Sequence, residues 1–461
     1  MNNDNKKSVP KQYHKNFTDD VDGYLMVYNP LSDKGMSVLN KEATQLYRLI
    51  DGKRNIEEIC SLLIKDDPNC TFKAIQTLLY SMERAEIIYF DKQIISSFRL
   101  SKQPPRLVVW LHITNQCNLR CTYCYVNKTN EKMNPDTAKK TIDVIISSAK
   151  KHNIQTIVIK FAGGEPVLEL AHVISLIHYA KNLAQKNAIS IHFVVISNGV
   201  LLTEKVCRII KENTIRLGIS FDGLSNFHDR TRVFANGLGS FAYVEKGIEI
   251  VQKYEIPFNV IITISSQNVE NIPEFTEYLL KKKVPFVYSF VREKNCPDKD
   301  LENSNTLLIT QLIKSYQKIT ENIPTKKLIN GLLDRVNFER PHLNTCGVGN
   351  NYLVVRHDGK ILSCQMEQDR VIGSIDDEDI IETMKKGNFI QPVGLTVEGK
   401  IPCKSCKWKY VCCGGCPLLT YQQKGMYSSN TPYCDVYKKL IPHVLKLEAR
   451  RLIKYKLHDT Y

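Results

Sequence analysis

The pattern of apolar and polar positions divides the chain into three segments. From Tyr13 to about residue 95, short extended stretches at 23–29 and 35–39 come first, and helical patterns then open at Asn40, Asn55 and Thr71. Asn40 precedes Ala43, Leu46, Tyr47 and Ile50 on one face, with Asp51-Gly52 as the stop, which predicts a capped amphipathic helix. Strands followed by three short helices predict a small winged-helix domain. The paired prolines Pro104 and Pro105 favour extended backbone and predict a linker over 101–106.

Beyond it, apolar strand patterns at 107–113, 156–162, 189–196, 215–221, 258–264 and 285–291 alternate with helical ones. Six strands with intervening helices predict a parallel βα architecture. That is too few for the usual eight-stranded barrel, so an open partial (β/α)6 barrel is expected, with reactive groups at the strand C-terminal ends. The fold class is therefore α/β, with four regions expected: a winged-helix domain at 1–100, the barrel at 101–310, a bridging helical region at 311–340 and a C-terminal domain at 341–461. The last is short on regular patterns and rich in Cys and Gly, as expected of a fold held by metal.

The 461 residues allow two or three domains, and 43% hydrophobic with 24% charged residues is ordinary for a globular chain. No apolar run reaches eighteen residues, and MNNDNKKSVP lacks the apolar stretch of a signal peptide. A cytoplasmic protein with no membrane partner is expected. The formal charge of +15 invites a nucleic-acid reading. Residues 1–100, however, hold 14 Lys+Arg and 14 Asp+Glu, so the excess belongs to 101–461, with 49 against 34. A redox-sensing DNA-binding regulator needs a basic winged helix. Net zero argues against it, and no nucleic-acid partner is expected. The denser basic run near 446–456 reads as a solvated helix face.

Fifteen cysteines are many for a cytoplasmic chain, where clustered thiols hold metal or do redox work. Directly after the first barrel strand runs Thr114-Asn115-Gln116-Cys117-Asn118-Leu119-Arg120-Cys121-Thr122-Tyr123-Cys124-Tyr125. Three thiolates on one loop can hold three irons of a [4Fe-4S] cube and leave the fourth open. Structural zinc wants four ligands, and no fourth Cys or His lies nearby. The second strand ends in Gly163-Gly164-Glu165-Pro166, where the glycines permit close approach of a ligand and Glu165 can accept hydrogen bonds from an ammonium. The third ends in Ser197-Asn198-Gly199, and the fourth leads into Ser220-Phe221-Asp222-Gly223, His228-Asp229 and Arg232.

The cysteine spacing, with Tyr123 before the last Cys, resembles the signature of the radical S-adenosylmethionine superfamily. The resemblance implies that the cofactor S-adenosylmethionine chelates the open iron, that Gly163, Gly164 and Glu165 contact its amino group, and that Ser197, Ser220 and Arg232 line its ribose and carboxylate site. Turn and capping roles are the bland alternative for those three.

Seven further cysteines lie at 346, 364, 403, 406, 412, 416 and 434, one short of two four-ligand sites. Their order resembles the SPASM domain, which binds two auxiliary [4Fe-4S] clusters, making three in all. By that resemblance Cys403, Cys406, Cys412 and Cys434 hold the outer cluster and Cys346, Cys364 and Cys416 the inner one. The inner cluster's fourth ligand is open; Cys413 and Cys296 are candidates. The N-terminal segment resembles PqqD-like peptide-recognition domains in Tyr24-Leu-Met-Val-Tyr-Asn-Pro, Leu39-Asn-Lys-Glu-Ala-Thr and Asp51-Gly-Lys. Such domains add a leader peptide as a strand to a sheet edge, here in a groove between 35–39 and the helix from Thr71 to Arg84.

Together these resemblances imply a peptide maturase. An external electron donor such as flavodoxin or ferredoxin would reduce the first cluster, and the resulting 5'-deoxyadenosyl radical would abstract hydrogen from a ribosomally made precursor peptide, giving a thioether or carbon-carbon cross-link. The alternative within enzymes is an anaerobic sulfatase-maturing enzyme that makes formylglycine. In that group an Asp proposed as a base follows the equivalent of Cys364, where this chain has Gln365. No catalytic side chain is assigned from the sequence.

Overall fold

The structure, a computed structural model, describes residues 7–67, 70–90, 106–292, 301–387 and 395–455. Of the expected linker at 101–106 all but Arg106 lies outside the described residues, as does Cys296.

The N-terminal domain opens with β1 (Lys11–Gln12), followed by β2 (Phe17–Val21), β3 (Tyr24–Tyr28) and β4 (Met36–Leu39), the last three forming an antiparallel sheet in that order. Helices Lys41–Leu49, Ile56–Asp66 and Phe72–Arg84 begin where the sequence pattern places them. The side chains of Asn40, Asn55 and Thr71 accept from the backbone N–H groups of Ala43, Glu58 and Ala74, which the first helical turn leaves unpaired. β5 (Ile88–Tyr89) then pairs with β1.

Alternation along this sheet assigns its two faces to two cores. Leu25, Val27 and Leu39 pack with Ile75, Leu79 and Met82 of the domain's own helices. Val21, Met26 and Tyr28, with part-buried Met36 and Val38, join the main core of the chain. The C-terminal helix Cys434–Tyr455 packs against this sheet. Here the reading of 446–456 as a solvated face is corrected. Lys446 pairs with Asp19 at 2.8 Å and Arg450 with Asp22 at 3.2 Å, while buried Arg451 pairs with Glu448 at 2.7 Å. The acidic hairpin around β2, placed by the fold, meets this basic helix.

Six parallel strands follow: β6 (Leu107–Thr114), β7 (Thr156–Gly163), β8 (Ser190–Ser197), β9 (Arg216–Ser220), β10 (Phe258–Ile264) and β11 (Phe286–Phe290), neighbours in sequence order. Their outward residues, among them Val109, Leu111, Ile157, Ile159, Phe161, Val260 and Ile262, are fully buried in the main core. The inward ones, Trp110, Lys160, Val194, Ile196, Ile261 and Ser289, are only half-buried and line cavities. A closed eight-stranded barrel fills its interior with side chains; this open one keeps a lumen.

The sheet does not stop at six strands. β12 (Tyr352–Val355) pairs parallel with β6, and β13 (Lys360–Leu362) and β14 (Val371–Ser374) follow antiparallel, so nine strands run β11-β10-β9-β8-β7-β6-β12-β13-β14. The C-terminal region, read as short on regular structure, thus extends the barrel from its first strand. Segments of three or four residues are too brief for alternation to mark them. Helix Asn305–Glu321 begins before the expected boundary at 311 and packs on helices Ile272–Lys281 and Cys434–Tyr455. Among the described residues no helix is long and apolar enough to cross a membrane.

Candidate active site

The cysteine loop leaves β6 at Thr114 and is stitched to its surroundings by backbone hydrogen bonds: Asn115 N to Glu131 O at 2.9 Å, Arg120 N to Val233 O at 2.7 Å and Thr122 N to Thr231 O at 3.0 Å. The end of β7 completes the frame, with Gly164 N donating to Thr114 O at 2.6 Å and Glu165 N to Gln116 O at 2.8 Å. A Cβ on Gly164 would stand 1.9 Å from the Gln116 carbonyl oxygen, and one on Gly163, at φ +115°, 2.4 Å from that of Thr114. The backbone that these glycines admit is that of the cysteine loop, a partner the sequence did not reveal.

A cavity of about 260 Å³ lies at this end of the lumen. Cys117, Cys121, Cys124, Tyr123, Gly163, Gly164, Ser197, Ser220 and Arg232 all line it, and Gln365 and Met366 reach it from the C-terminal domain. Three polar groups stand at the thiols: Lys128 Nζ 3.0 Å from Cys124 Sγ, Asn198 Nδ2 3.7 Å from Cys117 Sγ and Arg232 Nη1 3.8 Å from Cys121 Sγ. Burial pushes the Cys117 thiol up and that of Cys121 up to about 12. Buried thiols of this kind become thiolates when metal takes the proton's place, and the neighbouring cations offset the added charge. The donor set fits an iron-sulfur cluster. Among the described residues no three His, Cys, Asp or Glu side chains converge on one ion position; thiolates on separate corners of a cube need not do so.

Glu165 stands behind this wall, fully buried. Its carboxylate accepts from Val167 N at 3.1 Å, Ser197 Oγ at 2.9 Å and Asn198 N at 2.7 Å, tying β7 to the turn after β8. Burial outweighs these bonds and pushes the carboxyl up to about 7. Asp222 forms a second brace. Arg232 Nε donates to its Oδ2 at 2.5 Å, the Tyr123 hydroxyl donates to the same oxygen, and Thr263 N donates to Oδ1 at 2.8 Å. Two cavity-lining side chains therefore hang on one buried carboxylate, which sequence reasoning quoted within its motif without giving it a role.

The C-terminal cysteines fall into two groups. Cys412 feels Cys403, Cys406 and Cys434, and burial above all pushes its thiol up to about 12. Cys346, Cys364 and Cys416 pack with Tyr352 and Met366 around Val348 and Leu418. Burial would raise the Cys416 thiol, but Arg292 and Arg335 beside it hold it below the ordinary thiol value. These sets also fit clusters by donor chemistry. Cys413 sits with Leu31, Val397, Cys403 and Tyr410, donating its Sγ–H to His342 O at 3.0 Å with φ at +48°. Gln365 accepts from the Tyr352 hydroxyl at 2.6 Å and faces the barrel cavity.

Residues 111–279 match the family model of the radical SAM superfamily. The chain is 25% identical over 372 residues to a cysteine-type anaerobic sulfatase-maturating enzyme of Clostridium perfringens, covering 74% of this chain and 96% of that protein. Its fold is similar to that of native anSMEcpe with bound AdoMet and Cp18Cys peptide, with a TM-score of 0.63, 22% identity and coverage of 76% and 100%. It is also similar to that of Streptococcus suis SuiB bound to precursor peptide SuiA, with a TM-score of 0.54, 15% identity and coverage of 92% and 99%.

Proposed function

We propose, from the premise that this chain is a radical SAM enzyme, that it abstracts hydrogen from a ribosomally made precursor peptide and installs a thioether or carbon-carbon cross-link. The observation that carries this is the single cavity in which the three loop cysteines, the β7 glycines and Arg232 meet two residues of the C-terminal cysteine domain. A [4Fe-4S] cluster with S-adenosylmethionine at its open iron supplies a 5'-deoxyadenosyl radical when reduced by an external donor such as flavodoxin or ferredoxin.

The chain's own residues do the rest. Cys117, Cys121 and Cys124 hold the barrel cluster, and Gly163, Gly164, Ser197 and Ser220 line the cofactor's place. Asp222 fixes Tyr123 and Arg232 as a rigid wall, and Glu165 locks the two glycine-bearing turns behind it. Gln365 and Met366 close the cavity toward the C-terminal domain and exclude water. Cys403, Cys406, Cys412 and Cys434 hold the outer auxiliary cluster, and Cys346, Cys364 and Cys416 the inner one, giving a route for the second electron. The N-terminal domain acts as a PqqD-like leader binder, with β4, an outer strand of its sheet, as the edge that a leader strand joins. Fold likeness over 92% of the chain to a protein solved with its precursor peptide supports this role, a share out of reach without the N-terminal domain.

The relationship to a cysteine-type sulfatase-maturating enzyme favours a second reading, formylglycine formation. Gln365 weighs against it, because a neutral amide hydrogen-bonded to Tyr352 has no basic site to take a proton. The deciding experiment is anaerobic turnover with perdeuterated peptides. Deuterium in 5'-deoxyadenosine together with a cross-linked precursor supports the proposal; formylglycine on a sulfatase peptide, with no precursor consumed, supports the second reading and overturns the first.

A further inference from the structure

The lumen continues below the active cavity. A second cavity, of about 1040 Å³, lies toward the N-terminal ends of the barrel strands. Its wall carries Arg106 just before β6, Lys160 on β7, Arg216 at the start of β9, and Arg335 and Arg340 from the segment that follows the barrel. Against these five cations stand Asp33 and Asp334, and Asp334 is bound to Arg292 at 2.6 Å. Arg106, Lys160, Arg216 and Arg340 have no acidic partner among the described residues. Lys160 is half-buried on this wall, where an ammonium without a carboxylate is unfavourable unless a counter-charge joins it, and the exposed Arg106, Arg216 and Arg340 around it add to the positive field. Burial, with Arg335 and Arg106, lowers the Lys160 ammonium, which agrees with a site lacking its anion.

Ile196, Ile261, Ser289 and Arg335 line both cavities, so the two meet at mid-barrel. The lower one reaches the upper limit of usual small-molecule sites, roughly 300 to 1,000 Å³. An extended chain suits such a channel better than a single small anion.

We propose that this lower cavity binds an acidic segment of the peptide substrate, which enters at the N-terminal ends of the strands and runs up the lumen to the active cavity. The proposal rests on the peptide-modifying reading and adds a spacing rule to it. Arg216 lines the lower cavity and Ser220, at the other end of the five-residue strand β9, the upper. At about 3.3 Å per residue the two levels lie roughly 13 Å apart. An extended peptide covers that distance in about four residues, so a substrate carboxylate is expected about four residues from the position that is modified.

The test uses the iron-loaded enzyme and a fluorescein-labelled peptide in which Asp alternates with Gly, with its Asn-Gly counterpart as control. Fluorescence anisotropy should give an affinity at least about tenfold higher for the acidic peptide, falling with added salt. Lys160→Gln and Arg216→Gln should each weaken it about fivefold to tenfold, and Lys160→Arg should restore it. Iron content of each variant reports that it folds. Equal affinity for the two peptides, unchanged affinity in both Gln variants, or displacement by an equal concentration of inorganic phosphate would overturn the proposal. The readout needs no turnover. Predicted binding without modification of any precursor would sink the peptide-modifying reading alone. Modification that survives Asp→Asn and Glu→Gln at every acidic position of a precursor would sink the cavity assignment alone.

Discussion

The two cysteine regions are built on opposite principles. The barrel loop is held by backbone hydrogen bonds to β7 and to residues 131, 231 and 233, and rests on strands whose outer faces lie in the main core. The C-terminal cysteines sit among short turns; the inner group packs around Val348 and Leu418, and Cys406, Cys412 and Cys416 reach only the margin of the main core, beside Trp408, Val411 and Leu419. Around Cys403 and Cys413 the buried apolar members are Leu31, Val397 and Tyr410. Small cores of this kind depend on cross-links or metal for their stability. On the proposed reading the barrel loop is shaped by its own backbone bonds, and the cysteine turns of the C-terminal domain depend more on metal.

The sharpest way to break that contrast is iron removal. After chelation, hydrogen exchange should accelerate about a hundredfold or more across 395–434, because ligation energy is folding energy there, while strands β6 to β8 keep their protection. Equal loss in both regions would abolish the distinction. Next in size is Gly164→Ala. Its Cβ collides with the Gln116 backbone, so the variant should lose the barrel cluster, about four irons, and all cleavage of S-adenosylmethionine, with the C-terminal clusters retained on iron analysis.

Glu165 gives a pH signature of about 3 kcal/mol. Its carboxyl rises from 4.5 to about 7 on burial, so the folded state binds the proton more tightly than the unfolded state. The stabilisation is complete below pH about 4.5 and is lost as pH rises through about 7. Urea unfolding of the metal-free protein at pH 5 and pH 8 should show this loss, and Glu165→Gln should flatten it. The smallest effect belongs to the seam between the N-terminal sheet and the C-terminal helix. Lys446→Ala and Arg450→Ala each remove a partly exposed ion pair and should cost less than about 1 kcal/mol by the same measurement.

Much of this was legible in the sequence. The six barrel strands fall within about two residues of their expected bounds, and the caps at Asn40, Asn55 and Thr71 are where their residue types point. These are local signals, set by period and side-chain chemistry. What escaped is non-local. β2 carries Asp19 and Asp20 and reads as polar until the C-terminal helix is seen beside it. β12 gains its strand character from pairing with β6, far away in the chain. Lys160 and Arg216 read as ordinary polar positions in their strands, and only closure of the sheet brings them to one lumen. Glu165 was singled out by its motif, but its partners Ser197 and Asn198 come from the next strand.

The central claim is that the cysteine loop on β6 holds one reactive cluster and the C-terminal domain two more. Anaerobic reconstitution followed by iron, sulfide and zinc analysis, with 5'-deoxyadenosine measured after reduction in the presence of S-adenosylmethionine, tests it most directly. The wild-type chain should carry about twelve irons and twelve sulfides and form 5'-deoxyadenosine, and replacing Cys117, Cys121 and Cys124 by Ala should remove about four irons and all of that product. Stoichiometric zinc without iron, or 5'-deoxyadenosine formed as well by the triple variant, would contradict it.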